Sequence, residues 1–176
     1  MADWNQTLDA GDYENGEINV VIEIGAGSNN KIEWNRKLAV FELDRVEPDA
    51  FPKPVNYGFM PQTLDEDGDE LDVLLITEHP LSTGVFLKAR ILGVMKFADD
   101  GEVDDKIIAV PADDRNNGDA YQKLEDLPKR LIEKIEHHFT HYKDLYKPGS
   151  TEVKSFEGVD EAKKVIKDAI ERWNNQ

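Results

Sequence analysis

The sequence predicts a mainly β, α+β fold, in which five strands form a small closed barrel and two C-terminal helices pack outside it. Two observations support this prediction. Short apolar runs separated by turn residues occupy most of the first 110 residues, and two longer segments with helical periodicity follow them. Because 176 residues suffice for one core of ordinary size, we expect a single domain over residues 1–176.

The predicted strands are short and ordered along the chain. They cover residues 18–24, 38–43, 73–76, 85–97 and 106–110. Pro48, Pro52, Pro54 and Pro61 should confine the segment between the second and third strands to loops, because proline lacks an amide hydrogen. The number and order of the strands favour an OB-like barrel, although another mixed barrel also fits the pattern.

The two predicted helices have clear apolar faces. Large apolar residues recur at four-residue intervals from Leu127 to Phe139, with Pro128 near the start of the helix. A second apolar stripe runs from Val159 to Trp173. We expect both helices to pack these faces on the barrel.

Composition excludes several classes of protein. With 37 acidic and 21 basic residues the formal net charge is −16, so a nucleic-acid or membrane partner is not expected. No apolar run reaches the ~18 residues of a membrane span and no secretory signal is evident, which predicts a cytoplasmic protein. Because acidic charge spread along a whole chain suits high salt, we expect a halophilic protein.

A run of carboxylates at residues 67–73 indicates a cation site. Asp67, Asp69 and Asp72 repel one another unless positive charge lies between them. The chain has no cysteine, and oxygen ligands alone suit Mg²⁺, Mn²⁺ or Ca²⁺. Neither calcium-loop frame fits, because a loop starting at residue 63 or 65 ends on an apolar residue. The alternative is an exposed acidic turn.

A second acidic segment, residues 99–105, lies between two apolar runs and predicts a hairpin tip. Such a loop can bring Asp99 and Asp104 to face each other, with Lys106 at the start of the return strand. Taken alone, this segment also fits a solvated turn. Together, the two acidic segments predict a cavity that binds more than one metal ion.

Basic and phenolic residues on other predicted elements supply the third component. Metal ions held by carboxylates bind phosphate oxygens, and cationic side chains neutralise the remaining charge. We therefore expect an oxyanion substrate. The candidate residues are Lys31, Arg45, Tyr57, Lys106, Tyr142 and Lys143.

Three histidines lie on the first predicted helix. His137 and His141 are spaced to share one helix face, but no third nitrogen or sulfur ligand is near in sequence. We interpret them and His138 as surface or interface residues rather than as a zinc site.

From Glu23 to about Trp173 the chain resembles the family I soluble inorganic pyrophosphatases. The run from Asp67 to Val73 fits that family's signature at every position. Further matching pieces occur in order at residues 23–24, 31–33, 44–45, 56–59, 93–96, 109–111 and 141–145.

The resemblance implies a Mg²⁺-dependent enzyme that hydrolyses pyrophosphate to two phosphates by direct attack of water, without a covalent intermediate. The enzyme would bind two or more Mg²⁺ ions, and Asp69 would be the general base. Its binding partner would be the substrate pyrophosphate. The chain would assemble as a homohexamer, and we expect its source to be a halophilic archaeon. The implied metal ligands are Asp67, Asp72, Asp99 and Asp104; the implied substrate contacts are Lys31, Arg45, Tyr57, Lys106, Tyr142 and Lys143; Glu23 and Glu33 would line the cavity.

Two positions depart from the family pattern. Gly25 stands where proline usually follows the Glu-Ile pair, and Lys53 stands where an aromatic residue commonly precedes proline. We expect both at the rim of the site, where Gly25 would leave its loop freer than proline would.

Two other functions stay open from sequence. A non-catalytic cation buffer would explain the carboxylates but not the basic residues. An OB-type nucleic-acid module would need a basic groove with stacking aromatic residues, which the sequence does not indicate.

Overall fold

The computed structural model describes residues 3–116 and 118–176. The strands in these ranges are β1 (Glu17–Ile24), β2 (Asn30–Asn35), β3 (Val40–Val46), β4 (Asn56–Phe59), β5 (Asp72–Leu75), β6 (Phe86–Asp99), β7 (Glu102–Val103), β8 (Lys106–Pro111) and β9 (Thr151–Glu157). The α-helices are α1 (Trp4–Thr7), α2 (Lys129–His141) and α3 (Val159–Asn174). None of the described helices has both the length and the apolar composition needed to cross a bilayer.

Five strands close into a mixed barrel. They are hydrogen-bonded in the order β1, β4, β5, β8, β6, and β6 pairs again with β1 to complete the circle. All neighbours are antiparallel except β5 and β8, which are parallel. The prediction of a mainly β, OB-like barrel with helices outside it is confirmed.

The membership of the barrel differs from the prediction. The predicted strand at residues 38–43 belongs to β3, which pairs only with β2 in a separate hairpin. Its place is taken by β4, in a segment where only loops were expected. Pro54 and Pro61 flank β4 rather than interrupt it, and four residues are too few to show an alternating pattern.

Strand β9 was also missed by sequence analysis. It pairs antiparallel with β6 between the two long helices. Its sequence, TEVKSFE, is largely polar, so the hydrogen bonds to β6 rather than apolar alternation define it as a strand.

Two apolar clusters hold the helices against the barrel. In β5, Val73 and Leu75 belong to a cluster that includes the buried face of α3, whereas Leu74 belongs to the cluster that includes α2. This alternation follows from the two-residue period of a strand. Both predicted helices are confirmed, and the end of α2 lies at the mouth of the site described next.

Candidate active site

A cavity of about 620 Å³ opens between the β2–β3 hairpin, the start of β5 and the end of α2. Every site residue predicted from the sequence lines it, although these residues come from widely separated parts of the chain. They are Glu23, Lys31, Glu33, Arg45, Tyr57, Asp67, Asp69, Asp72, Asp99, Asp104, Lys106, Tyr142 and Lys143. The structure brings these residues together, while their individual roles stay predictions.

The turn before β5 presents two aspartates to the cavity. Gly68 adopts a φ of 93°, which glycine reaches without steric cost. The N–H of Asp69 donates a hydrogen bond to Oδ1 of Asp67 at 3.0 Å. Burial, followed by the charge of Asp67, raises the pKa of Asp69 to about 6. Asp69 therefore has a proton affinity suited to a general base near neutral pH.

Helix α3 anchors this turn from behind. Nε of Arg172 donates to the carbonyl oxygen of Leu64 at 2.7 Å, and Nη2 donates to Oδ1 of Asp65 at 3.2 Å. The N–H of Asp65 in turn donates to the carbonyl oxygen of Asp69 at 2.7 Å. The backbone that carries Asp67 and Asp69 is thus connected to the helix by a short chain of hydrogen bonds.

The floor of the cavity holds a buried lysine between two aspartates. Nζ of Lys106 lies 2.6 Å from Oδ2 of Asp72 and 2.8 Å from Oδ1 of Asp104. Burial alone would lower the pKa of Lys106, but the two carboxylates outweigh it and raise the pKa above its ordinary value. Lys106 therefore stays charged, and it compensates two carboxylates that would otherwise repel each other.

Tyr57 reaches the same floor from β4. Its hydroxyl donates a hydrogen bond to Oδ2 of Asp72. Burial first, and then the charge of Asp72, raise the pKa of Tyr57 well above its ordinary value. Tyr57 consequently keeps its proton and acts as a hydrogen-bond donor.

The end of α2 closes one side of the cavity. Lys143 contacts both carboxylate oxygens of Asp99, at 2.6 Å from Oδ1, and the Tyr142 hydroxyl donates to Oδ2 of Asp99 at 3.2 Å. Since Asp99 is the last residue of β6, these contacts join the helix to the predicted hairpin tip. The tip turns at residues 100–101 and β8 begins at Lys106, as predicted.

The β2–β3 hairpin places two cations side by side. Lys31 and Arg45 are Cα partners across the two strands. Lys31 forms an ion pair with Glu33, and Arg45 lies 2.7 Å from Glu47 and 2.6 Å from Asp44. The hairpin therefore brings Lys31 and Arg45 to the cavity, and each is paired with a neighbouring carboxylate.

Glu23 lies deeper, on β1. Its Oε1 accepts a hydrogen bond from the Trp34 N–H at 2.7 Å. Burial, and next the charge of Asp72, raise the pKa of Glu23 well above its ordinary value. A carboxyl group here adds to the cost of concentrating negative charge in the cavity, a cost that a bound cation would relieve.

The donor atoms fit a hard divalent cation. Among residues 3–116 and 118–176, no three carboxylate or imidazole groups already surround a common ion position. Instead, lysine ammonium groups lie against Asp72, Asp104 and Asp99. This arrangement shows that the aspartates accommodate positive charge, and oxygen-only ligands suit cations such as Mg²⁺.

Sequence reasoning missed part of the cavity wall. Arg36 and Glu70 line the cavity and form an ion pair at 2.9 Å, with Glu70 also accepting from Asn5. Glu70 lies within the acidic run at residues 67–73, so its position in the sequence could have indicated that it lines the cavity. Nothing local in the sequence linked Arg36 to it, because 33 residues separate the partners.

The histidines of α2 differ from expectation in one respect. His137 and His141 share a helix face with ring centroids 4.7 Å apart, as their spacing predicts. His138 is buried and does not lie on the surface of the chain. Its ring stacks on that of Tyr142, with 5.5 Å between the ring centroids.

Comparison with known proteins identifies the family. A family model described as inorganic pyrophosphatase matches residues 20–174. The chain belongs to the inorganic pyrophosphatase family. An inorganic pyrophosphatase of Neisseria meningitidis is 72% identical over 176 residues, covering 100% of this chain and 99% of that protein. One from Haemophilus influenzae is 66% identical over 176 residues, covering 100% of both chains.

Solved structures agree with this assignment. A crystal structure of an inorganic pyrophosphatase from Neisseria gonorrhoeae has a TM-score of 0.97 and 72% identity, and covers 98% of this chain and 99% of that chain. Inorganic pyrophosphatases of this family are generally metal-dependent. The resemblance found in the sequence is therefore confirmed at the level of the family.

The expectation that the protein comes from a halophilic archaeon is wrong. Neisseria and Haemophilus are bacteria, so the similarities do not fit an origin in a halophilic archaeon, and they do not support halophilic character. The net charge of −16 was the basis of that expectation. Acidic composition alone does not distinguish salt adaptation from an ordinary acidic surface.

The structure shows the surroundings of both departures from the inorganic pyrophosphatase pattern. A Cβ on Gly25 would lie 2.5 Å from the carbonyl oxygen of Leu81, so close packing constrains this backbone instead of leaving it free. Lys53 is only 8% exposed and belongs to the cavity wall.

Proposed function

We propose that this chain, as a single domain over residues 1–176, hydrolyses inorganic pyrophosphate to two phosphates with Mg²⁺ as cofactor. The observation that carries the proposal is the cavity, where Asp69, with a pKa raised to about 6, lies among other carboxylates and cationic side chains. Membership of the inorganic pyrophosphatase family supports the same reaction.

Asp67, Asp72, Asp99 and Asp104 would hold the metal. Two or more Mg²⁺ ions, when bound, would neutralise phosphate charge and lower the pKa of the attacking water. The contacts of Lys106 and Lys143 with three of these aspartates support the assignment, because the same oxygens already balance positive charge.

Asp69 accepts the proton of the attacking water in this proposal. In the metal-free protein, burial and then the charge of Asp67 raise the pKa of Asp69 to about 6, so the carboxylate that a general base requires is present at neutral pH. Water attacks one phosphorus in line and the second phosphate departs, so no covalent enzyme intermediate is required.

The basic and phenolic residues would bind the phosphate groups. If these aspartates held a metal ion, the ammonium groups of Lys106 and Lys143 would be available to phosphoryl oxygens. Protonated tyrosines are suited to donating hydrogen bonds, and the charges stabilise the transferred group. The proposed substrate contacts are Lys31, Arg45, Tyr57, Lys106, Tyr142 and Lys143, with Glu23 and Glu33 lining the cavity.

Phosphate release from pyrophosphate tests the proposal. We expect turnover by the wild type with Mg²⁺ and none after chelation, with Asp69→Asn reducing kcat by about 10²-fold or more because the general base is lost. Asp49→Asn, at an exposed position outside the cavity, serves as the matched control. A wild type that binds Mg²⁺ without turnover would instead indicate the cation-buffer function.

A homohexamer and a cytoplasmic location complete the proposal. Association is supported by large apolar side chains left exposed on the single chain, including Leu43, Val46, Leu145 and Tyr146. Sedimentation equilibrium would distinguish a hexamer from a trimer or monomer, and cell fractionation would test the location.

A further inference from the structure

Lys53 is a buried cation of the cavity that the proposed mechanism does not use. It lies between Pro52 and Pro54, just before β4, and its side chain is buried in the cavity wall. Its backbone is held on both sides: the Lys53 N–H donates to the Ser28 carbonyl oxygen at 2.9 Å, and the Gly27 N–H donates to the Lys53 carbonyl oxygen at 2.8 Å. The position of this lysine is therefore defined by the fold.

Aromatic rings surround its ammonium group. Nζ lies 4.7 Å from the centroid of the Tyr57 ring, 5.4 Å from that of Tyr142 and 5.5 Å from that of Phe139. The face of an aromatic ring attracts a cation, but it is a weaker hydrogen-bond acceptor than an oxygen atom. The three N–H donors of Lys53 thus keep their capacity to bind an anion.

Lys53 differs in this respect from the basic residues assigned to the substrate. Lys31, Arg45, Lys106 and Lys143 each form an ion pair with a carboxylate. Lys53 is only 8% exposed. Within residues 3–116 and 118–176 it nevertheless forms no ion pair with any carboxylate oxygen. Burial, and next the charge of Lys106, lower the pKa of Lys53 to about 8, as expected for a cation without a close counter-ion.

An uncompensated cation in a cavity wall is unfavourable until an anion arrives. Pyrophosphate brings several negative charges and oxygen acceptors into the same cavity. Binding of this anion would remove the free-energy cost of the isolated charge on Lys53. The charge-assisted hydrogen bond formed with the anion would therefore contribute to substrate affinity.

We propose that Lys53 binds a phosphoryl oxygen of the diphosphate substrate and acts as a determinant of substrate affinity. This inference rests on the proposed pyrophosphatase function and adds a contact that the residues predicted from sequence do not include. Because Lys53 is already in place between the rings, it contributes to binding of the ground state and of the transition state alike, and its removal raises KM more than it lowers kcat.

The test compares Lys53→Met, which keeps the length and apolar stem, with Lys53→Arg, which keeps the charge. We expect Lys53→Met to raise KM for pyrophosphate about 10-fold or more at saturating Mg²⁺ while kcat changes less than about 3-fold. Lys53→Arg should restore KM to within about 3-fold of the wild type. Lys134→Met, at an exposed position on α2, controls for the loss of one positive charge.

Calorimetric titration with methylenediphosphonate, which cannot be hydrolysed, measures binding without turnover. Its Kd should rise in Lys53→Met in parallel with KM, and Lys53→Gln provides a second neutral variant if the methionine variant does not fold. Unchanged KM and Kd in a folded neutral variant would overturn the inference while leaving the pyrophosphatase proposal intact. An inactive wild type would overturn that proposal, and the titration would still decide whether Lys53 binds the diphosphate anion.

Discussion

Asp72 and Lys106 occupy equivalent positions at the starts of two parallel strands, and their side chains pair across the cavity floor. The two residues are Cα partners in the β5–β8 register, and Nζ of Lys106 lies 2.6 Å from Oδ2 of Asp72. The one parallel pairing of the barrel thus places a carboxylate and an ammonium group side by side, 34 residues apart in sequence.

Substitution of Lys106 tests whether a metal ion and this ammonium group neutralise the same aspartates. In Lys106→Met, Asp72 and Asp104 lose their shared cation, so the metal-free protein should lose about 3–5 kcal/mol of unfolding free energy. Added Mg²⁺ should restore more stability in the variant than in the wild type, and kcat/KM should fall by about 10²-fold. Thermal melts with and without Mg²⁺ measure the first effect, and phosphate release measures the second.

Lys88→Met is the matched control for this experiment, because Lys88 pairs with Glu17 on the exposed surface. Equal stability gains from Mg²⁺ in the Lys106 variant and the wild type would contradict the prediction.

Arg172 should affect the reaction although it lies outside the cavity. Arg172→Met removes the donors to Leu64 and Asp65, so the turn carrying Asp67 and Asp69 loses two of its hydrogen bonds to α3 and keeps the one from the Leu64 N–H to the Ala169 carbonyl oxygen. We expect kcat to fall by roughly 10-fold, because small displacements of reacting groups are costly, and the unfolding free energy to fall by about 1–3 kcal/mol. Steady-state kinetics and urea denaturation measure the two quantities.

Lys167→Met, on the exposed side of the same helix, should leave kcat unchanged, since its ammonium group is exposed and pairs with Glu171 at 3.8 Å. A normal kcat in the Arg172 variant would show that the turn keeps its geometry without this anchor.

Gly58 should tolerate no side chain. A Cβ at this position would lie 2.1 Å from the carbonyl oxygen of Val21, because β1 and β4 approach closely there. We expect Gly58→Ala to lower the unfolding free energy by about 3 kcal/mol or more, since backbone atoms must move. Gly158→Ala, where nothing lies within 4 Å, should change it by less than about 1 kcal/mol in the same denaturation assay. Similar midpoints for the two variants would refute the expected clash.

His138 should make the fold sensitive to acid. Burial, and next the charge of Lys53, lower the pKa of His138 to about 3, whereas a histidine in an unfolded chain titrates near about 6.5. The unfolded state therefore binds the extra proton between these values, and the unfolding free energy falls as pH falls, by roughly 1 kcal/mol per unit below pH 6.

The variant His138→Phe should lose less stability on acidification than the wild type, because it lacks this proton uptake. Urea denaturation between pH 7 and pH 4.5 measures the difference, with exposed His79→Phe as the control. Parallel pH profiles for the wild type and His138→Phe would mean that His138 does not contribute.

The predictable parts of this protein are those whose signal lies in one continuous segment. The acidic run from Asp67 to Val73 located carboxylates that line the cavity, and the apolar periodicity of α2 and α3 identified both helices. Strands β4 and β9 escaped detection, because one is four residues long between prolines and the other is mostly polar. Their identity depends on hydrogen bonds to strands that are distant in sequence.

By itself, the sequence determined the kinds of chemical group present: oxygen ligands without thiolates, cations and phenols, and a family resemblance through ordered motifs. Only the tertiary structure decided which charges are compensated. It paired Lys106 with Asp72 and Asp104, yet left Lys53 among aromatic rings. The reason is physical: the energy of a charge depends on its distances to other charges and on its burial, and sequence spacing specifies neither once strands from different parts of the chain meet.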